Sequence, residues 1–308
     1  MRSLFRKFIN HIKTIRLVQK RQPPNYDAEK YENVEKKTLL EIYGALRHET
    51  HRIEKAAYND LLISKKLYFD NKVLKVKKIQ TIIKNKDDNA TNNPVFIWSK
   101  EIINAYPNLK HFFIDVNKVR PPEINLKKGQ QFINELENRR SCRILKGPLS
   151  NSIIKETINL SYEALKWAPN SGNRQAVRIK PIIEVKEKNL LIGLKEKHCY
   201  TAPLLFFIGV DSRLYGALSD FEECMYLDAS AAITQIILYI NSVGLGSSWN
   251  HFGLDLIKTR NVNIEIYKKF QNKLDIPDYI IPIAIIAIGM PEYIPPKPAR
   301  MPNEYFEI

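Results

Sequence analysis

The chain has 308 residues and 44% of them are hydrophobic, enough for one large domain or a medium domain with an extension. Its formal net charge is +15. Residues 1–125 hold 25 Lys and Arg against 14 Asp and Glu, a net of +11, whereas residues 126–308 hold 23 against 19, a net of +4. No zinc-finger spacing or aromatic-rich RNA-binding motif accompanies this charge, so we expect no nucleic-acid partner.

The cysteines and the apolar runs indicate the compartment. Cys142, Cys199 and Cys224 are widely spaced, odd in number and without a C-x-x-C pair, which is typical of a reducing compartment. The longest apolar runs, 203–210 and 280–290, are too short to cross a bilayer as helices and predict buried strands. No signal peptide is recognisable. We therefore expect a cytoplasmic protein.

The first segment, residues 1–22, predicts a basic amphipathic helix. Apolar residues recur at helical spacing over 2–21, the opposite face carries Arg and Lys with no acidic residue before Asp27, and Pro23-Pro24 ends the pattern. Two interpretations are open. The helix binds an anionic membrane surface, which would place the protein peripherally at the inner face of the membrane, or it docks on its own domain or on a dimer partner.

Residues 23–125 predict a helical extension. Its expected helices cover 32–47, 52–68 and 73–84, and 84–94 is expected to be a polar linker. His48-Glu49-Thr50-His51 resembles a metalloprotease signature, but its histidines are three residues apart and that site needs four. We expect a surface helix carrying two histidines there, and no metal site.

Residues 126–308 predict a second domain in which helices and strands alternate. Helices are expected over 129–139, 152–167 and 225–243, and strands over 179–185, 190–194, 204–210 and 280–288. Clear right-handed β-α-β units are absent from this order. The pattern therefore favours an α+β layered fold, with a central mixed or antiparallel sheet flanked by helices.

The segment Arg139-Arg140-Ser141-Cys142-Arg143 indicates a phosphate site. Each guanidinium is a planar, permanently charged fork, and the serine adds a neutral donor. A solvated helix end is the alternative for this cluster taken alone. His198-Cys199 is not a nucleophile and base, because neighbours on a predicted strand point to opposite faces.

Two further segments share the same chemistry. Residues 168–175, Ala-Pro-Asn-Ser-Gly-Asn-Arg-Gln, place short amide and hydroxyl side chains in a turn that suits a planar heteroaromatic ligand. Residues 243–249, Val-Gly-Leu-Gly-Ser-Ser-Trp, end the long apolar helix in a glycine turn that frees backbone N–H groups. Lys297 and Arg300 then add cations on a proline-stiffened tail.

These motifs, in this order, resemble the FMN-dependent nitroreductase family over residues 127–308. The family's hallmarks are Arg-Arg-Ser-x-Arg, an Ala-Pro-Ser-x-x-Asn-x-Gln-Pro-Trp loop, an Asp-bearing apolar helix ending in Gly-Leu-Gly-Ser, and a closing Gly-x-Pro followed by Lys and Arg. The chain departs from them at Asn170, where the family has Ser, and at Ala176-Val177, where it has Pro-Trp. The second departure alters the wall of the pocket and leaves the substrate open.

The resemblance implies roles for the residues that match. The FMN phosphate and ribityl chain would be held by Arg139, Arg140, Ser141 and Arg143, with Lys297 and Arg300 closing over the phosphate. The flavin would be approached from the partner subunit by Pro169, Asn170, Ser171, Asn173 and Gln175. Backbone N–H groups of the turn at Gly246, Ser247 and Ser248 would lie near the flavin N5 and O4.

The implied function is that of a homodimeric FMN-dependent oxidoreductase. NADH or NADPH would pass a hydride to flavin N5, leave, and be replaced by a small-molecule acceptor in a ping-pong cycle. No side chain would be a catalytic nucleophile, because the flavin carries the chemistry. The alternative is a non-catalytic flavin-binding or flavin-less protein in a membrane-associated surface-polysaccharide assembly. It is motivated by the +11 N-terminal region with its amphipathic helix and by the substituted pocket loop. The run 46–55 is similar to a segment of long nitroreductase-like proteins found in that context.

Overall fold

A computed structural model describes residues 34–56, 61–109, 124–215, 218–252 and 264–307, so the helix predicted over 2–21 lies outside the described residues. The chain divides into two compact units. The first comprises Met1–Pro122, Pro169–Ala176 and Asp211–Asp228, and the second comprises Glu123–Ala168, Val177–Val210 and Ala229–Ile308. The predicted division at residues 22 and 125 stays a prediction. The sequence did not indicate that two later segments, Pro169–Ala176 and Asp211–Asp228, belong to the first unit together with the N-terminal helices.

The first unit is built on helices α1 (Leu39–Ala56), α2 (Leu61–Ser64), α3 (Lys66–Lys86) and α4 (Pro94–Ala105). Thr38 and Glu41 start α1 with a capping box, in which the Thr38 N–H donates to Glu41 Oε2 at 3.1 Å and the Glu41 N–H donates to Thr38 Oγ1 at 3.4 Å. Asn93 caps α4 by accepting the Val95 N–H at 2.9 Å. The Asn-Pro pair was the sequence signal for α4, which the prediction missed.

The core of the first unit lies between α1, α3 and α4. Its most buried apolar side chains are Ile42, Leu46, Ile53, Val76, Ile79, Ile83 and Phe96. Glu49 is also buried, and its carboxylate accepts from Lys72 Nζ at 2.6 Å and from Lys75 Nζ at 3.0 Å. The expected surface helix at residues 48–51 is therefore wrong in part. The segment is helical, but Glu49 and Thr50 are buried and His48 is half-buried, because α1 is covered on more than one side.

The second unit contains the sheet. Its helices are α5 (Leu126–Asn138), α6 (Asn151–Lys166), α7 (Val185–Lys188), α8 (His198–Thr201) and α10 (Ile264–Lys273), and α9 (Leu218–Ser242) belongs to it from Ala229 onward. Its strands are β1 (Leu145–Lys146), β2 (Val177–Ile182), β3 (Leu204–Asp211, up to Val210), β4 (Gly246–His251) and β5 (Ile280–Pro291).

The strands form one sheet in the order β1-β5-β3-β2, with β4 also paired to β5. The pairs β1–β5, β2–β3 and β4–β5 are antiparallel, with Val177 opposite Val210 and Gly246 opposite Gly289. The β5 residues 280–289 are all buried, as their apolar run predicts. On one side of the sheet the rings of Phe207, Phe252, Tyr267 and Phe270 pack edge to face or tilted. The predicted α+β class, with a helical N-terminal region, is confirmed.

Several predicted elements differ from the structure. The strand expected over 190–194 is a short helical turn at Asn189–Leu191. The helices predicted over 32–47 and 52–68 are not separate at this point, since α1 runs through residues 48–51. His198 and Cys199 lie in the short helix α8 and not on a strand, so the reason given against that pair was wrong. Short segments with mixed apolar and polar residues fit either state, and tertiary packing selects between them.

Candidate functional site

The arginine segment of the second unit follows directly on α5. The Arg139 N–H donates to Glu135 O and closes the helix. Two residues later, Cys142 N–H donates to Ser247 O at 2.8 Å, and Ser141 and Ser247 form a parallel bridge. The arginine segment and the glycine-serine segment, about a hundred residues apart in the sequence, therefore form backbone hydrogen bonds with each other.

The guanidinium of Arg140 is oriented by backbone carbonyls. Its Nη1 donates to Arg139 O at 2.7 Å and also to Glu137 O. Its Nε is buried and has no hydrogen-bond partner among the described residues. Arg139 and Ser141 are half-buried and Arg143 is exposed. The segment thus presents a fixed guanidinium with one unused donor beside two further cations.

Gly246 allows this close approach. A Cβ at Gly246 would lie 3.0 Å from Cys142 Cβ, 3.0 Å from Leu145 Cδ2 and 3.0 Å from Pro291 Cβ, so a side chain there would push the segment away. Gly246 begins β4, and Ser247 and Ser248 are buried strand residues at 5% and 1% exposure. The glycine turn is therefore shorter than expected and ends at Leu245, with a positive φ of 81° at Gly244.

A buried polar cluster lies along β4. His198 Nε2 is 2.7 Å from Asn250 Oδ1 and 3.4 Å from Ser248 Oγ, and Asn250 Nδ2 donates to Ser248 O at 3.0 Å. Because Asn250 Oδ1 can only accept, His198 Nε2 carries the proton in this arrangement. The cluster therefore links α8 to the Ser248 and Asn250 positions of β4.

The C-terminal tail carries the last two predicted site residues. Lys297 Nζ forms an ion pair with Glu137 Oε2 at 3.0 Å, which places its ammonium near the end of α5. Arg300 is exposed, and its Nη1 donates to Ala299 O at 3.2 Å. The structure thus associates Lys297 with the helix that leads into the arginine segment.

The loop Pro169–Gln175, which we call the amide loop, belongs to the first unit. The Gln175 N–H donates to Asn170 Oδ1 at 3.0 Å, and Gln175 Nε2 donates to Asn173 Oδ1 at 2.9 Å. Gly172, Asn173 and Gln175 have φ values of 61°, 51° and 51°. Such left-handed backbone outside glycine is typically kept where function requires it. Pro169 and Gln175 are exposed, and Asn170, Ser171 and Asn173 are half-buried.

Asp228 and Arg174 hold this loop. Asp228 Oδ1 accepts the Ser171 N–H at 2.7 Å and Oδ2 accepts the Tyr215 O–H at 2.8 Å. Arg174 Nη1 donates to Ser171 O at 3.0 Å and to Ser171 Oγ at 2.7 Å, and its guanidinium lies over the Tyr215 ring. Burial raises the pKa of Asp228, while these hydrogen bonds and the Arg174 charge act in the opposite direction.

Sequence reasoning missed these two residues as supports of the loop. For Asp228 a signal existed, since it is the only charge of α9 after Met225. A lone carboxylate in an apolar helix needs a buried partner, which is here the loop itself. Arg174 had no such signal. Among the described residues no group of three or more His, Cys, Asp or Glu side chains could hold a metal ion. No helix in the described parts is long and apolar enough to cross a membrane.

No family model matches this chain, and no curated protein matches it. Solved structures do. An FMN-dependent nitroreductase from Clostridium difficile is 23% identical, with a TM-score of 0.47 over 57% of this chain and 96% of that one. A nitroreductase family protein from Clostridium difficile 630 is 23% identical, with a TM-score of 0.45 over 57% and 96%. Nitroreductase CinD from Lactococcus lactis, in complex with chloramphenicol, is 16% identical, with a TM-score of 0.48 over 57% and 98%.

The chain is similar to nitroreductases. The family that its motifs resemble is also the family of these solved structures. At identities below 25% and TM-scores below 0.5, this similarity alone assigns no activity to the chain.

Proposed function

We propose that the protein is an FMN-dependent oxidoreductase. It would take a hydride from NADH or NADPH and pass it through the bound flavin to a small-molecule acceptor in a ping-pong cycle. The observation that carries the proposal is the backbone connection between the arginine segment and β4, through Cys142 N–H and Ser247 O at 2.8 Å. It joins a cationic segment that suits a phosphate to the strand that carries the predicted flavin-contacting serines.

The donor set suits FMN. A flavin mononucleotide ends in a phosphate, which guanidinium forks bind through charge-assisted hydrogen bonds. Arg140 has its guanidinium fixed by two carbonyls and keeps one buried donor, Nε, unused. Arg139, Ser141 and Arg143 would complete the phosphate and ribityl site, with Lys297 and Arg300 closing over it.

The protein's own groups would bind and orient the cofactor and would not react covalently. The amide loop, with Pro169, Asn170, Ser171, Asn173 and Gln175, would approach the ring from a partner subunit. Backbone groups around Gly246, Ser247 and Ser248 would border it. The bound flavin would supply the redox chemistry, and hydrogen-bond donors near its polar edge would favour its reduced, anionic form.

The homodimer is part of this proposal. Helix α5 has no buried residue although it carries Phe132, Ile133 and Leu136 on one face, at 55%, 46% and 38% exposure. After β5 the tail also exposes Tyr293, Ile294, Tyr305 and Phe306, at 57% to 71%. Apolar surface of this extent is typical of an interface, and a second copy would cover it.

The test is made on the purified full chain. We expect a yellow protein with flavin absorbance that bleaches anaerobically when NADH or NADPH is added. Arg139→Ala and Arg143→Ala should each weaken FMN binding about 10- to 100-fold, the size expected for losing a charge-assisted hydrogen bond. Lys155→Ala, which removes one exposed charge from α6, is the matched control and should bind FMN as the wild type does.

Two outcomes would contradict the proposal. A colourless protein that FMN cannot reconstitute would exclude the flavoenzyme. A flavin that stays oxidised with both nicotinamides would favour the non-catalytic flavin-binding alternative.

A further inference from the structure

Two neighbouring residues of α1 contact the amide loop. Arg47 Nη2 donates to Arg174 O at 2.9 Å, and Arg47 is only 6% exposed. His48 Nδ1 lies 3.3 Å from Gly172 O. Since a carbonyl oxygen only accepts, Nδ1 carries the proton in this contact. Consecutive side chains of one helix therefore reach two carbonyls that lie two residues apart in the loop.

Gly172 shows how closely the helix and the loop approach. Its φ is 61°, and a Cβ there would lie 2.6 Å from His48 Nδ1 and 3.0 Å from Arg174 Nη1. Both the backbone conformation and the missing space therefore favour glycine. The loop is also held by Asp228, which accepts the Ser171 N–H. The loop is thus held by α1 and by Asp228, in the first half of α9.

These contacts with α1 and α9 hold a strained loop in one conformation. Two of its non-glycine residues, Asn173 and Gln175, have left-handed backbone, which such residues adopt rarely in a free loop. The hydrogen bonds from Arg47 and His48 come from the protein itself. They would therefore order the loop without help from the cofactor, and the entropy of ordering it would not be lost on binding.

We infer that Arg47 and His48 are positioning residues for the cofactor site, and that the helical N-terminal region is a required part of that site. The inference rests on the proposed function, because it assumes that the amide loop faces the flavin. The described contacts of Arg47 and His48 with the loop are to its backbone carbonyls. The two residues act through the conformation of the loop, so their loss should weaken cofactor binding without removing any cofactor contact.

The experiment uses the full chain with Arg47→Ala, His48→Ala and His48→Asn. Asn keeps an N–H donor close to the position of Nδ1, so His48→Asn should restore what His48→Ala loses. Arg52→Ala is the matched control, since Arg52 lies on the exposed side of the same helix and donates to Tyr68 Oη at 2.7 Å. FMN affinity is measured by titration, and amide hydrogen exchange over 169–176 is measured in the flavin-free protein.

We expect Arg47→Ala and His48→Ala to weaken FMN binding about 5- to 20-fold and to speed exchange in the loop. His48→Asn and Arg52→Ala should stay near the wild type in both measurements. If Arg47→Ala does not fold, the comparison of His48→Ala with His48→Asn still tests the inference. His48 is only half-buried, so we expect both of these variants to fold.

The outcomes separate the inference from the proposed function. Unchanged loop exchange in His48→Ala would overturn the inference, and so would faster exchange with unchanged FMN affinity. A wild-type protein that binds no FMN would instead overturn the proposed function, and the exchange measurement would still report whether α1 holds the loop.

Discussion

At Gly172 the amide loop has both a left-handed backbone and a close contact with His48, so a substitution there would affect the two together. Gly172→Ala would put a Cβ on a backbone with φ of 61° and 2.6 Å from His48 Nδ1. We expect it to lower the free energy of unfolding by about 1–2 kcal/mol from the backbone alone, with a further loss from the contact. Urea denaturation followed by circular dichroism measures this.

Gly129→Ala is the opposite case and serves as its control. Gly129 lies inside α5, and no atom is within 4 Å of the Cβ that alanine would add. Alanine should therefore raise the free energy of unfolding by about 0.5–1 kcal/mol. Equal effects of the two substitutions would contradict the account of Gly172.

The pH dependence of stability should reflect His48. Burial lowers the pKa of His48 to about 4, and the Arg174 and Arg52 guanidiniums add to this, against the Glu49 carboxylate and the hydrogen bond to Gly172 O. The unfolded chain therefore binds more protons between pH 6.5 and pH 4. Stability should fall by up to about 3 kcal/mol as the pH drops through that range, and this group adds no pH dependence above it.

Urea midpoints at pH 7.5, 6 and 5 measure this effect, and His48→Asn should remove the part of the slope due to His48. Glu49 acts at lower pH. Burial alone would raise its pKa, but the Lys75 and Lys72 ammonium groups outweigh burial and lower it to about 2. Its contribution is lost between pH 4.5 and pH 2, so most of the His48 effect comes at higher pH than the Glu49 effect. A wild type with flat stability between pH 7.5 and pH 5 would contradict the assignment to His48.

At the scale of elements, α5 is the clearest test of association. Phe132, Ile133 and Leu136 share one face of a helix whose described residues are all exposed or half-buried in the chain. In the proposed homodimer, Ile133→Asp should place a charge in the interface and shift the protein to monomer. Analytical ultracentrifugation measures the change. Gln131→Asp, on the opposite face, should leave the oligomer intact, and equal behaviour of the two variants would exclude α5 from the interface.

At the scale of the whole molecule, we expect that the second domain predicted from the sequence, residues 126–308, does not fold by itself. A fragment 126–308 contains every predicted site residue, but its segments Pro169–Ala176 and Asp211–Asp228 belong to the first unit. There Arg47 and His48 hold the amide loop, Arg213 Nη1 lies 3.7 Å from Glu41 Oε2, and Leu214 packs directly over Gly44. We expect the fragment to aggregate or to lose cooperative unfolding, as seen by size-exclusion chromatography and circular dichroism.

A chain lacking residues 1–22 is the control, since it keeps every contact described here. A yellow, cooperatively folding fragment 126–308 would show that the helical region is accessory after all. The same shortened chain tests the two interpretations of residues 2–21. Loss of binding to anionic vesicles favours the membrane, and unchanged binding leaves docking on the protein.

The sequence alone was sufficient to recognise the local motifs of this protein. Local chemistry is visible in one dimension, so the arginine segment, the amide loop and the buried run of β5 could each be recognised from a few residues. The order of the predicted helices and strands was also sufficient to predict the α+β class. Strand β4 was missed because Gly246, Ser247 and Ser248 have low strand propensity, and only pairing with β5 makes them a strand.

Only the tertiary structure decided which residues support these motifs. Arg47, His48, Arg174 and Asp228 converge on one loop from positions up to 181 residues apart in the numbering, and no local pattern predicts that. It also decided that part of the predicted second domain packs with the N-terminal helices. Both outcomes come from long-range burial. A carboxylate or guanidinium removed from water must find a partner, and that partner is set by the fold and not by sequence neighbours.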